Sequence, residues 1–228
     1  MKRKVILILS LLCVMLMGCS KIGGIKYKNI ITEENTDTYS IYIEMPKIDG
    51  IENKEFSVET TNLIENRISE WTSDFKERLP EKLNTKAELS VSSDLMFNKN
   101  DFISIETVKK VYLGGAHGNM WKYCENIDIK YSKILELKDL FIDDKYPEFI
   151  NRRMQELITD KPKIYFDLWQ KPVLSERHQT DFYIHDGNLI IYYQPYDLSY
   201  YAKGFVEFPI SIESLRGYIK PEYAERFF

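Results

Sequence analysis

Along the chain, apolar residues alternate with polar ones at a period of two in several stretches and recur every three to four residues in two others. "TYSIYIEMP" places Tyr39, Ile41, Ile43 and Met45 on one side, which predicts a strand ended by Pro46. Within 55–79, Ile64, Ile68, Trp71 and Phe75 fall at spacings of four, three and four. That period lines one face of a helix, leaving Glu65, Glu70, Lys76 and Glu77 outside and Pro80 to close it. "AELSVSSDLMFN" and "DFISIETVKKVYL" read as two strands joined by the turn "NKND". After "GGAHGN" a further strand carries Trp121, Tyr123, Ile127, Ile129 and Tyr131 on one side. "LELKDLFIDDKYPEFINRRMQELI" predicts a short helical turn, an acidic cap near Asp144 and a helix burying Phe149, Ile150, Met154 and Leu157. Asp186-Gly187 marks a tight hairpin turn, and "AKGFVEFPISIESL" returns as a strand. The strand-helix-strands-helix-hairpin order lacks the regular alternation that parallel sheets need. It predicts an α+β fold: antiparallel sheets packed with two main helices.

The opening "MKRKVILILSLLCVMLMGCSKIGG" stands apart. Lys2, Arg3 and Lys4 precede an apolar run too short to span a bilayer, the order of a signal peptide. Leu16-Met17-Gly18-Cys19 resembles the bacterial lipobox, in which the cysteine is acylated before the leader is cut. The resemblance implies a leader over 1–18 and a mature chain that begins at Cys19. Its acyl chains, palmitate among them, would hold it at the membrane, since two chains anchor stably where one does not. The polar stretch 19–37 reads as a tether.

Charge and cysteine content narrow the picture further. Loss of Lys2, Arg3 and Lys4 takes the formal charge from −4 to −7. An acidic body of this kind opposes nucleic acid and favours cationic partners. Cys13 leaves with the leader and Cys19 is acylated, so Cys124 is the one remaining thiol and no internal disulfide forms. It shares strand parity with Asn126, Asp128 and Lys130, the more polar face, and no His or Lys adjoins it in sequence to activate it. His117, His178 and His185 lack metal-ligand spacing, so no metal or cofactor is expected. A nucleophile elbow, a Cys-His pairing and a phosphate loop are absent. Catalysis is not expected, and the alternative that stays open is a cell-wall glycan-modifying hydrolase working through a carboxylate pair.

Three motifs carry a resemblance. Gly114 to Gly118 reads Gly-Gly-Ala-His-Gly, Leu137 to Phe141 reads Leu-Lys-Asp-Leu-Phe, and Tyr196 to Gly204 is an aromatic run ending in Ala-Lys-Gly. In this order they are similar to a pairing of bacterial extracytoplasmic domains of unknown function. The pair occurs in the sensor portion of the lysozyme-responsive anti-sigma factor of Gram-positive bacteria and in the N-terminal part of a membrane-bound peptidoglycan deacetylase. Asp197 stands where that family usually has Glu, and Ser199-Tyr200 where it has Ala-Pro. The resemblance covers roughly 38–216 and implies a deacetylase-associated-type domain over 38–118 and an anti-sigma-sensor-type domain over 119–228. It also implies a lipid-anchored binding module outside the cell, whose partner is a cationic lysozyme-like protein or a peptidoglycan fragment. Only four residues precede the apolar run, so a sigma-binding domain is not expected in this chain.

The residues of these motifs have their own physical reading. Gly114, Gly115 and Gly118 supply positive φ or close backbone approach. His117 inside that turn is expected to hydrogen-bond the backbone, with a base or ligand role as the alternative. Of the tyrosines in "YYQPYDLSYYAKGFVEFPI", Tyr192 and Tyr196 are expected to pack and tie down the Gly204 loop. Tyr200 and Tyr201 are left to meet a partner. Mass spectrometry of the membrane fraction is expected to find acylated Cys19 as the first residue. An intact, unlipidated leader on cytosolic chain would contradict the anchor.

Overall fold

The computed structural model describes residues 20–21, 25–82 and 85–227. The leader and Cys19 lie outside them. Seven strands form one sheet in chain order: β1 (Ser20–Lys21), β2 (Lys26–Asn35), β3 (Tyr39–Asp49), β4 (Ala87–Lys99), β5 (Phe102–Tyr112), β6 (Asn119–Asp128) and β7 (Lys133–Ile134). Every neighbouring pair is antiparallel except β3 and β4, which run parallel from Tyr39 opposite Ala87 to Ile43 opposite Val91. A parallel pair needs a crossover, and α1 (Lys54–Glu77) provides it. A second sheet of three antiparallel strands has the order β10 (Val206–Ser211), β9 (Asn188–Tyr193), β8 (Phe182–His185). Around it lie α2 (Tyr146–Asp160), α3 (Pro162–Tyr165) and α4 (Pro221–Phe227). The fold is α+β, with antiparallel pairing dominant.

The layers follow from residue parity. The Asn53 side chain caps α1 by accepting from Phe56 N at 3.2 Å. The helix then buries Phe56, Ile64, Ile68, Trp71 and Phe75. They rest on Ile41, Ile43, Leu89 and Val91 at one end and on Ile103, Ile105 and Ile127 at the other. The alternate residues of β5 and β6 face the small sheet, where Cys124 joins Tyr183, Ile190 and Tyr192. In β9, Leu189, Ile191 and Tyr193 point the other way, into the core beneath α2 with Phe149, Ile150 and Met154. The order of layers is helix, large sheet, small sheet, helix.

The contact between the sheets is polar. Lys122 is 5% exposed and reaches both Glu106 and Glu207 at 2.5 Å. Burial works to discharge its ammonium, and the two carboxylates more than offset that. Ser104 donates to Asn126 Oδ1 at 2.7 Å and accepts from Ile184 N at 3.1 Å, while Asn126 Nδ2 donates to Phe182 O at 2.7 Å. The polar parity shared by Cys124 and Asn126 is therefore an internal face, because a second sheet covers it. Burial also pushes the Cys124 thiol well up, which leaves it an inert filler.

Several expectations are corrected. The stretch read as a tether contains the ten-residue β2, whose backbone pairs with β3 from Lys26 to Asn35 despite its polar composition. β3 runs through Pro46 to Asp49. Beyond Ile43 it no longer pairs with β4, so the missing N–H breaks no ladder on that side. α2 has no acidic side-chain cap: Lys145 precedes it, and Asp143 accepts from Lys145 N at 2.9 Å. Tyr131 lies past the end of β6 and is exposed. The large sheet also continues across residue 118, since β6 pairs with β5 from Asn119 to Asp128.

The last helix is fastened by one arginine. Arg226 donates from both terminal nitrogens to the fully buried Asp128 carboxylate at 2.8 and 3.0 Å, from Nε to Asn100 O at 2.9 Å and from one terminal nitrogen to Asp101 O at 2.6 Å. The Asn100-Asp101 turn has φ of 52° and 59°, as a two-residue hairpin requires. Replacing Arg226 by Ala strands a buried carboxylate and is expected to cost about 3–5 kcal/mol in urea unfolding. Arg226→Lys recovers part of that at most, because one ammonium cannot copy the planar fork. An unchanged unfolding midpoint would show α4 to be peripheral.

Candidate functional site

The turn between β5 and β6 needs its glycines at two places. Gly114 has φ +87°. A Cβ on Gly118 would meet Val111 O at 2.8 Å, closer than real contacts come. In this turn His117 Nδ1 lies 2.7 Å from Gly118 O. A carbonyl only accepts, so Nδ1 carries a proton, and in the neutral ring Nε2 is left as an acceptor. Tyr196 OH lies 3.4 Å from that Nε2. The imidazole also stacks on Tyr201, with ring centres 4.5 Å apart and 21° between planes.

The 194–204 segment is moored to β6. Gln194 accepts from Lys122 N at 3.0 Å and donates to Lys122 O at 2.7 Å. Asp197 accepts from Gln194 N at 3.0 Å and pairs with Arg177 at 3.1 Å. Between them Tyr196 adopts φ +71°, a conformation that costs a non-glycine residue roughly 1–3 kcal/mol. Tyr196, expected to pack with Tyr192, is instead 52% exposed, carried outward on this left-handed corner. Tyr192 is fully buried and its hydroxyl donates to Lys122 O at 3.3 Å. Tyr200 is 47% exposed and Tyr201 half-buried beneath His117. Gly204 has φ +73°, and a Cβ there would sit 3.6 Å from the Met120 side chain.

A second segment lies against the first. Tyr165 fixes it by donating to Glu207 O at 2.7 Å and stacking on Phe208. Trp169 N donates to Leu198 O, Gln170 Nε2 to Asp197 O and Ser199 Oγ to Asp167 O, at 3.0, 2.6 and 3.0 Å. Lys203 pairs with the buried Asp167 at 3.0 Å. Burial works against the Asp167 carboxylate, yet the Lys203 ammonium and the Tyr200 hydroxyl beside it hold it below its ordinary value. So braced, the two segments present Ile164, Phe166, Trp169, Val173, Tyr196 and Tyr200 to solvent, six of the ten large exposed apolar side chains among the described residues. Exposed large apolar side chains concentrated on two braced segments mark a candidate interaction site.

The expected residues Gly114, Gly118, His117, Tyr196, Tyr200, Tyr201 and Gly204 thus come together. Gly115 is in the turn with nothing crowding it beyond an ordinary contact. Cys19 lies outside the described residues. Sequence reading missed Phe166 and Trp169, which sit in the polar run "DKPKIYFDLWQKPV" with no periodicity to flag them. The acidic residues here, Asp167 and Asp197, are both neutralised by basic partners, so the surface is apolar with paired charges. Among the described residues, no group of three or more His, Cys, Asp or Glu is placed to hold a metal ion.

Residues 32–120 match the family described as Deacetylase PdaC, and residues 138–213 the family described as Protein of unknown function (DUF3298). The chain carries this pair of domains. It is 28% identical to Anti-sigma-V factor RsiV of Bacillus subtilis (strain 168), over 78% of this chain and 65% of that protein, so it spans about two thirds of that relative's length. A DUF3298 family member from Bacteroides fragilis NCTC 9343 shares the fold with a TM-score of 0.65 at 16% identity, covering 90% of this chain and 98% of the other. A DUF3298 family protein from Pseudomonas aeruginosa PAO1 does so with a TM-score of 0.63 at 14% identity, covering 86% and 94%.

Because the folded pKa of Asp167 lies below the ordinary 3.8, its ion pair is fully present at neutral pH and is lost as pH falls below about 4. The indole N–H resonance of Trp169 is expected to show that acid step. In Asp167→Asn the loosened resonance appears already at pH 7. A resonance that ignores both changes would mean that Asp167 does not brace the loops.

Proposed function

We propose that this chain is an extracytoplasmic binding module, held to the membrane through acylated Cys19, which recognises a cationic cell-wall-active protein of the lysozyme kind. The observation that carries the reading is the braced aromatic surface around Trp169, Tyr196 and Tyr200. Trp and Tyr supply much of the binding energy at protein interfaces, and here their loops are ordered in advance, which lowers the entropy lost on docking. The likeness to the anti-sigma-V factor and the sequence resemblance to a lysozyme-responsive sensor support the partner class. Charge enters in a particular way. The aromatic surface has no net acidic field of its own, so contact there is apolar, and the acidic body acts at long range by steering a cation toward it. A peptidoglycan fragment stacking on the same rings is the second occupant to be tested.

The test is a titration of the protein with lysozyme and, separately, with muropeptides, followed for binding and for product. Saturable binding of lysozyme without turnover is expected. Trp169→Ala is expected to weaken it by about 2 kcal/mol or more, roughly thirtyfold, and Tyr200→Ala by a smaller factor. Binding of muropeptides alone would move the assignment to the glycan. Released acetate or new reducing ends would replace the module with a hydrolase.

A further inference from the structure

A second feature lies away from the aromatic surface and shares none of its residues. Where the edge of α1 approaches β6, a cleft of about 300 Å³ opens. Leu63 and Arg67 of α1, Tyr123 to Glu125 of β6, Ile134 to Glu136 at the end of β7, Thr180 and Asp181 before β8, and Tyr192 of β9 line it. The geometry points to a binding site for a small organic cation bearing N–H donors, an alkylammonium or guanidinium group.

The charges inside do not balance. Glu125 is 2% exposed, and Arg67 meets only its Oε1. Its Oε2 is buried with no hydrogen-bond partner, although a carboxylate oxygen accepts readily. An unmet buried acceptor of this sort is costly. The one arginine in the cleft is spent on Glu125 and lies 5.5 Å over the Tyr123 ring, so Asp181 has no cation of its own there. Arg177, the other cation that acts on Asp181, is held by Asp197, and Glu136 is held by Lys138. Burial raises the Glu125 carboxyl and pushes Asp181 up to about 6, both signs of carboxylates short of positive charge. A ligand cation would supply it, its donors meeting Oε2 and Asp181 and its body resting on Leu63 and Tyr123. An anion on Arg67 would face both carboxylates. A hard metal ion would find too few oxygens, since the described residues contain no three-ligand group.

The sign of the pH dependence follows. Asp181 has a raised folded pKa, so at neutral pH it is ionised at some cost, and a cation that prefers its ionised form lowers that pKa and binds less tightly as pH falls through 6. The charged groups that surround Asp181 are Arg177 and Asp197 on its own side and Arg67 and Glu125 across the cleft.

The full chain in detergent is titrated with ethylammonium and with methylguanidinium, following the Asp181 carboxyl carbon by NMR, with tetramethylammonium and acetate as controls. The expected result is saturable binding of the two N–H donors that lowers the apparent pKa of Asp181. Affinity falls about fivefold from pH 7.5 to pH 5. Asp181→Asn removes the pH step and about tenfold of the affinity. Glu125→Gln removes binding where that variant folds. Equal binding of tetramethylammonium, binding of acetate instead, or no saturation by either donor would overturn the assignment. The titration uses no residue of the aromatic surface, so it stands or falls apart from the lysozyme reading.

Discussion

The interaction on which the molecule depends is the ion cluster that Lys122 makes between the two sheets. A lysine 5% exposed is tolerated only because Glu106, from the neighbouring strand, and Glu207, from the small sheet, both meet it at 2.5 Å. Together with the Ser104 and Asn126 bonds to the backbone of β8, it sets how one sheet lies on the other. Apolar faces would hold the layers together equally well but would permit many offsets. A polar contact whose every member needs its partner permits one.

That single alignment places the binding surface. Tyr183, whose hydroxyl donates to Glu207, stands in the contact itself, and Gln194 extends it by bonding both backbone groups of Lys122. From Gln194 the chain turns through the left-handed corner at Tyr196 and reaches Tyr201 under His117, which belongs to the turn between β5 and β6. A loop from the middle of the chain and one from its last third therefore meet because the sheets beneath them are registered. Asp167 with Lys203 and Ser199 then ties in the third segment, with Phe166 and Trp169.

Where a buried face repeats with a clean period, the sequence was enough. The α1 stripe from Ile64 to Phe75, the hairpin turns at Asn100-Asp101 and Asp186-Gly187 and the helix around Ile150 and Met154 could be read directly. β2 could not, because "KYKNIITEEN" pairs through its backbone at a weakly apolar strand and looks like a linker. The layering could not either, since Ser104, Glu106, Lys122, Asn126 and Asp128 on one face of β5 and β6 are polar and resemble a solvated face. Their partners, Glu207 and the Phe182 carbonyl, lie more than 50 residues away. The glycine turn and the late tyrosines were legible as a group, but their meeting with Trp169 is a product of tertiary contact. The Arg67 and Glu125 cleft left no mark in the sequence at all, since its residues come from five separate segments.

The central claim is that a pre-ordered aromatic surface at one end of registered sheets is where the partner lands. Amide hydrogen exchange of the full chain, with and without saturating lysozyme, addresses it directly. The account predicts new protection over residues 164–173 and 196–204 and around His117, with α1 unchanged. Protection confined to α1 or to the outer strands of the large sheet, or none at all with lysozyme bound, would contradict it.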